Sequence, residues 1–309
     1  MSAPAQDTGR TLNVIDAHRA PWALLHGLAH LAESGRHRVL LLGNTRDDRR
    51  AHDAGIRRAE RIQPRNNEPS NATRTIRHAL RGAAAFDRVI AWDERTRLAL
   101  GGLASGAPSD AVRSVDATFP ADAIGRPALR RQWRVGDDTR VLIPADDHPS
   151  RVDAMRLCYI VGILSVAGAP SVAVVPREAR DLDRAARFAW RHGRAPWLII
   201  DDRPPLALRN GADAAWWQAS EPPDTGLTLR VLMRAGLPAA ADRAEQTEAI
   251  ASDRLRLCDP CNELSAVTAL TDPPTRTDER PDPDAFRRAV DGSVAGPVAG
   301  KASLARSGR

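Results

Sequence analysis

The stretch Ala214–Pro238, AAWWQASEPPDTGLTLRVLMRAGLP, decides how this 309-residue chain is read. Ala214–Gln218 is apolar and aromatic, as a buried strand requires, and Thr225–Ala235 reads as a helix capped by Asp224 or Thr225. A helix that starts at the carboxyl end of a parallel strand presents unpaired backbone N–H groups and the positive end of its dipole to the crevice there. An anion is best held at such a point, and Gly226 lets the backbone approach it closely. The stretch therefore reads as a diphosphate cradle that needs no metal.

Outward from this unit the same alternation recurs. Towards the N-terminus, Thr11–Ala17 reads as a strand, and Pro21 opens a helix in which Leu24, Leu28 and Leu31 share one face up to Gly35. Arg38–Gly43 is a near-continuous apolar strand. Asn71 can cap a helix running to Gly82, Arg88–Trp92 is a buried strand, Asp93 caps the next helix, and Ala111–Phe119 is a further strand. After a Pro- and charge-rich break carrying a short helix, Pro127–Trp133, the pattern restarts. It gives strands at Val141–Pro144, Ser171–Val175, Trp197–Ile200, Ala239–Ala241 and Leu255–Leu257, and helices at Arg151–Ala167, Leu182–His192 and Glu263–Leu270.

Strand–helix alternation of this kind builds parallel, doubly wound sheets. The expectation is an α/β protein of two facing Rossmann-like lobes, with parallel sheets and helices on both faces. A polar N-terminus (1–10) precedes an N-terminal lobe (11–125), a linker (126–138) and a C-terminal lobe (139–272). The Pro-, Asp-, Arg- and Gly-rich remainder (273–309) reads as a largely disordered tail, with one helical possibility at Asp284–Val290 that could return to the N-terminal lobe.

Composition narrows the function classes. The net charge of +6 is almost wholly arginine, Lys301 being the single lysine, and the arginines alternate with acids, as in Arg46-Asp47-Asp48-Arg49. That pattern describes solvated helix faces and argues against a nucleic-acid stripe. Trp216 and Trp217 lie on a strand and read as core or interlobe packing. Three cysteines, no signal-like N-terminus and no apolar run of membrane-spanning length lead to the expectation of a cytoplasmic protein without disulfides. No G-x-G-x-x-G follows the first strand, and neither a P-loop nor a G-x-S-x-G elbow occurs. Cys258-Asp-Pro-Cys261 has redox or half-zinc spacing, but further ligands are scarce, and two cysteines in a turn is the simpler account. His26 and His30, at i and i+4 on one helix, lack a third ligand and read as a packed or solvated face; no metal site is expected.

The residues of Ser220–Pro238 resemble the C-terminal motif of retaining, GT-B-type glycosyltransferases of the glycosyltransferase 4 kind. Aligned on Gly236 and Pro238, the chain keeps Ser220, Gly226, Leu227, Met233, Ala235, Gly236 and Pro238. The N-terminal half is similar too, in Leu28–Gly35, His37–Leu42 and Arg88–Trp92. The resemblance implies sugar transfer from a nucleoside-diphosphate sugar to a hydroxyl acceptor, whether glycan, lipid-linked or small molecule. It implies no metal and no cofactor beyond that co-substrate.

The site it implies consists of Arg151 with Thr225, Gly226 and Leu227 at the diphosphate, Glu221 or Asp224 at ribose or sugar, and His18 on the acceptor side. No catalytic residue is assigned. Against the family pattern, Pro223 and Val231 stand where the two glutamates of E-x7-E belong, and Asp146 stands where an arginine belongs, so a catalytically inactive binding or scaffold protein is the competing reading. At the surface, Arg151 could instead pair with Asp147 or Asp153.

Overall fold

A computed structural model describes residues 10–17, 20–42, 52, 56, 59–62, 86, 88–101, 104–107, 124–192, 197–219, 225–250, 253–260, 262–271 and 284–292. The first lobe contains β1 (Thr11–Asp16), α1 (Trp22–Glu33), β2 (His37–Leu42), β3 (Ala59–Ile62), β4 (Arg88–Ala91), α2 (Glu94–Leu100) and β5 (Ser105–Gly106). Its parallel five-stranded sheet has the order β3-β2-β1-β4-β5. Helix α3 (Arg126–Trp133) leads into the second lobe.

There β6 (Arg140–Pro144), α4 (Ala154–Val166), β7 (Ser171–Val175), α5 (Leu182–Arg191), β8 (Leu198–Ile200) and α6 (Pro205–Leu208) come first. They are followed by β9 (Ala214–Trp217), α7 (Leu227–Arg234), β10 (Ala239–Asp242), α8 (Glu245–Glu248), β11 (Leu255–Cys258) and α9 (Glu263–Thr271). The six strands form a second parallel sheet, β11-β10-β9-β6-β7-β8. The fold is thus the α/β arrangement of two parallel sheets that the alternation requires. The helix at Asn71–Gly82 and the strand at Ala111–Phe119 lie outside the described residues, while β3, β5, α6 and α8 were not foreseen.

Period-two alternation explains why the central strands of the second sheet are apolar on both faces. Val141, Ile143, Val172, Val174, Ala215, Trp217, Ala239 and Ala241 belong to one buried layer, against α6, α7 and the α1 helix of the other lobe. Their neighbours Leu142, Ala173, Val175, Ala214, Trp216 and Ala240 belong to the opposite layer, against α4, α5 and α9. Both faces are covered, so no polar face is needed. Trp216 and Trp217 fall on opposite faces, each almost fully buried.

The first layer continues across the lobe boundary. Ile15, Leu25, Leu28, Val39 and Ile90 of the N-terminal lobe share one apolar cluster with Ile143, Leu229 and Leu232 of the C-terminal lobe, and α1 packs on α7. Two further connections reinforce this. Helix α10 (Asp284–Gly292), within the stretch read as a tail, lies on the N-terminal lobe: Val290 is buried, its carbonyl accepts from Arg88 Nη1 at 3.4 Å, and Asp291 Oδ1 is 3.0 Å from His37 Nε2. Burial holds the His37 imidazole below its ordinary pKa, with Asp291 pulling the other way.

Helix α3 is clamped to the second lobe. Asp213 accepts from Arg126 Nη2 (2.6 Å), Arg130 Nη1 (3.1 Å) and the Val141 N–H (2.8 Å), and buried Arg130 also donates to Gly211 O at 3.1 Å. Trp133 lies flat on the Gly211 backbone: a Cβ at residue 211 would stand 2.4 Å from Trp133 Cζ3 and 2.8 Å from Leu129 Cβ. Gly211→Ala must therefore push α3 outward, at a cost of about 1–3 kcal/mol for overpacking. Urea unfolding is expected to show this loss with an unchanged slope.

Candidate functional site

In a doubly wound sheet, ligands bind beyond the carboxyl ends of the strands where the strand order reverses. In the second lobe that point lies between β6, from which the chain runs to β7 and β8, and β9, from which it runs to β10 and β11. The loop after β6, Ala145-Asp146-Asp147-His148, and the residues after β9, Gln218-Ala219, border the crevice, with the start of α7 beside them. In the first lobe the reversal lies between β1 and β4, where Asp93 caps α2 through Thr96 N–H (2.7 Å) and also accepts from the Asp16 N–H at 3.0 Å.

Helix α7 has no cap of its own. Gly226 is its N-cap residue, at φ +66°, a left-handed conformation that favours glycine, so Thr225 stands one position before the cap it was expected to form. The cap comes from Asp147, 78 residues earlier. Asp147 Oδ2 accepts from the Thr225 N–H at 3.0 Å, from the Thr225 hydroxyl and, more weakly, from the Leu227 N–H at 3.4 Å. Oδ1 accepts from the Thr228 N–H at 2.7 Å.

The backbone carbonyl of the same residue accepts from the Trp22 N–H at 3.1 Å, at the start of α1, another helix whose own N-cap, Pro21, makes no side-chain bond. Two helix N-termini, one from each lobe, thus converge on one buried aspartate. The donors expected to cradle a diphosphate are met by the protein's own carboxylate.

The neighbouring Asp146 is in a poorer position. It is 2% exposed, and its Oδ1 has no hydrogen-bond partner among the described residues. Burial drives its carboxyl well above the ordinary range, the Asp147 charge adds to this, and Arg180 and Arg151 oppose it. The cavity that Asp146 lines with Trp22, Pro144, Asp201, Arg203 and Leu208 offers about 10 Å³, room for one water and too little for a sugar. At its far side Asp201 accepts from Trp133 Nε1 at 2.9 Å and from Arg203.

Arg151 ends a 3-10 turn, Pro149–Arg151, rather than opening a helix, and its carbonyl accepts from Gln218 Nε2 at 2.7 Å. Thr225 and Leu227 are therefore tied to Asp147, while Arg151 is tied through its carbonyl to Gln218, just after β9. Glu221, Asp224 and His18 lie outside the described residues. Asp153, the other acid considered for Arg151, caps α4 through the Arg156 N–H at 2.9 Å.

Beyond β9 and β10, Asp242 is 1% exposed and pairs with Arg156, with Nη2 at 2.8 Å from Oδ1, and accepts from the Ala219 N–H at 2.9 Å; Arg156 also lies 5.2 Å over the Trp216 ring. Cys258 Sγ donates to Ala241 O at 3.0 Å, and burial raises its pKa to about 12, leaving an unreactive thiol; Cys261 is outside the described residues. His26 is buried in α1, and His30 Nδ1 lies 3.9 Å from Glu33.

Sequence reasoning missed Asp147. The available signal was an acidic pair, Asp146-Asp147, directly after an apolar strand and at the end of a sheet where a helix N-terminus was already expected.

No protein-family model matches the sequence, and no curated protein does. Solved structures match over nearly the whole chain. UDP-GlcNAc 2-epimerase from Methanocaldococcus jannaschii matches at 13% identity and TM-score 0.58, covering 93% of this chain and 100% of that one. A glycosyltransferase from Rickettsia africae matches at 10% identity and TM-score 0.53, covering 92% and 94%. Anabaena Alr3699/HepE, solved in complex with UDP and glucose, matches at 14% identity and TM-score 0.50, again covering 92% and 94%. At these identities the likeness shows a fold, and the fold is of the GT-B type.

Asp146 yields a prediction whose sign is fixed. An acid whose pKa is raised by folding binds its proton more tightly in the folded state, so its contribution to stability falls as pH rises above the ordinary carboxylate range. Asp146→Asn is expected to raise the melting temperature at neutral pH, with the gain shrinking as pH falls towards 4. Parallel melting curves for both proteins across that range would contradict a buried, ionisable Asp146.

Proposed function

We propose that this chain is a catalytically silent protein of the GT-B type: a binding or scaffold protein on a glycosyltransferase frame, whose donor-diphosphate position is taken by Asp147. The observation that supports this reading is the Asp147 carboxylate on the first turn of α7, using the N–H groups of Thr225, Leu227 and Thr228. A diphosphate would have to displace those bonds or lie against the carboxylate. Two unit charges about 4 Å apart repel by on the order of 4 kcal/mol at the effective dielectric of a protein surface, comparable to what a helix N-terminus and an arginine together supply. Pro223 and Val231, at the positions of the missing glutamates, remove the carboxylates that the family resemblance would need at sugar and ribose.

One observation favours a second reading, metal-independent transfer of a sugar from a nucleoside-diphosphate sugar to a hydroxyl acceptor. HepE, of the same fold, was solved with UDP and glucose. On that reading Arg151, Thr225, Gly226 and Leu227 take the diphosphate once Asp147 swings away, Glu221 or Asp224 takes ribose or sugar, and His18 faces the acceptor.

A thermal-shift titration with UDP, GDP, ADP and dTDP, without metal, separates the two. Wild-type protein is expected to show no shift at millimolar nucleotide. Asp147→Ala is expected to lose about 0.5–2 kcal/mol with its cap and to gain a nucleotide response that Arg151→Ala removes. A wild-type shift with one nucleotide, worth about 2.7 kcal/mol at a hundredfold excess over Kd and absent in Arg151→Ala, would overturn the silent reading and establish a donor site.

A further inference from the structure

The outer face of α5 is used by neither the cleft nor the core. Ala185 and Ala189 point into the apolar layer, while Arg184, Arg187, Trp190 and Arg191 are exposed. Trp190 is 84% exposed, an unusual place for the side chain with the largest apolar surface. Arg184, Arg187 and Arg191 follow the i, i+3, i+7 spacing that puts them on one helix face, with Trp190 one turn beyond Arg187. These arginines form no ion pair among the described residues. Asp183, one turn before Arg187, is the acid on the same stripe, and the balance there remains positive.

Helix α4 extends the patch. Its Tyr159, 42% exposed, lies with its ring 4.7 Å from that of Phe188, which in turn is 4.4 Å from His192; Val166, at the end of α4, is 69% exposed. The patch sets an exposed indole among exposed guanidinium groups on the outer helical layer. A rigid protein partner needs a complementary surface of roughly 800 Å² per side. A lipid surface needs none, since mobile headgroups rearrange around protruding side chains. Guanidinium forks match phosphate, and an indole prefers the boundary between headgroups and acyl chains.

We propose that the α5 face, Trp190 with Arg184, Arg187 and Arg191, docks this protein peripherally on an anionic phospholipid surface. The attachment is interfacial, because no helix among the described residues is long and apolar enough to cross a membrane. It lies on the sheet face opposite α7, so it is independent of what the crevice binds and leaves the crevice uncovered.

Co-sedimentation of the full chain with vesicles tests this, using phosphatidylcholine alone and phosphatidylcholine mixed with phosphatidylglycerol. Wild-type protein is expected to bind the mixed vesicles and not the neutral ones, and to be released by added salt. Trp190→Ala, and separately Arg187→Glu with Arg191→Glu, are each expected to lower partition by about tenfold, with wild-type melting curves because the groups are exposed. Arg187→Lys with Arg191→Lys is expected to keep most of the binding, as a charge-led contact should. The proposal fails if the protein ignores both vesicle types, if it binds both equally, or if the variants bind as well as wild type. A Trp190-dependent dimer in gel filtration without vesicle binding would overturn it in favour of contact between copies.

Discussion

One residue of the second lobe, Asp147, meets the N-termini of two helices, one from each lobe. Asp147 gives its carbonyl to the first turn of α1 and its carboxylate to the first turn of α7, so the helix that opens the N-terminal lobe and the helix behind the candidate donor site end on the same loop. Each helix would otherwise leave N–H groups unpaired in a buried place, which costs about 1–3 kcal/mol per group. A negative charge is tolerable there because both helix dipoles face it. The adjacent Asp146 has no such environment, and its carboxyl is pushed towards the neutral form. Of two neighbouring aspartates, one accepts from the first turn of α7 and the other has an oxygen with no partner among the described residues; the difference lies in which of them reaches the helix end.

This clasp is continuous with the packing. One apolar cluster runs from the first sheet through α1 and α7 to the second sheet, α10 returns to the first lobe at Arg88 and His37, and α3 is pinned by Asp213 and Gly211. A two-lobed frame that admits a nucleotide must part at this boundary. Here parting exposes core residues worth about 1.5–3 kcal/mol each and also breaks the bond from the Trp22 N–H to the Asp147 carbonyl.

Much of this frame is legible in the sequence because it depends on local pattern. Runs such as Val39–Leu41 and Val172–Val175 are apolar at every position, which identifies strands covered on both faces, and Asp93 is recognisable as a cap from its place before α2. Strand β3, Ala-Glu-Arg-Ile, lies at a sheet edge and carries charges, so its pattern is not that of a buried strand. Strand β5 is too short to have a period. Helix α7 does follow β9, as the pattern requires, and its start is where the sequence leads one to look for an anion. The occupant of that place was not legible: the bond from Asp147 to Thr225 spans 78 residues, and no spacing rule reaches that far.

The same limitation applies to the residues that carry the family resemblance, because they can be kept for the fold alone. Gly226, Leu227, Gly236 and Pro238 are retained, and the structure gives some of them backbone duties: Gly226 and Gly236 have positive φ, and Leu227 is buried. A fold needs these residues whether or not it binds a sugar donor. Val231 is a packing residue as well, fully buried in the cluster that joins the two sheets, and Asp146 is buried beside Asp147. The first turn of α7 needs a negative partner, and Asp147 supplies one from within the chain.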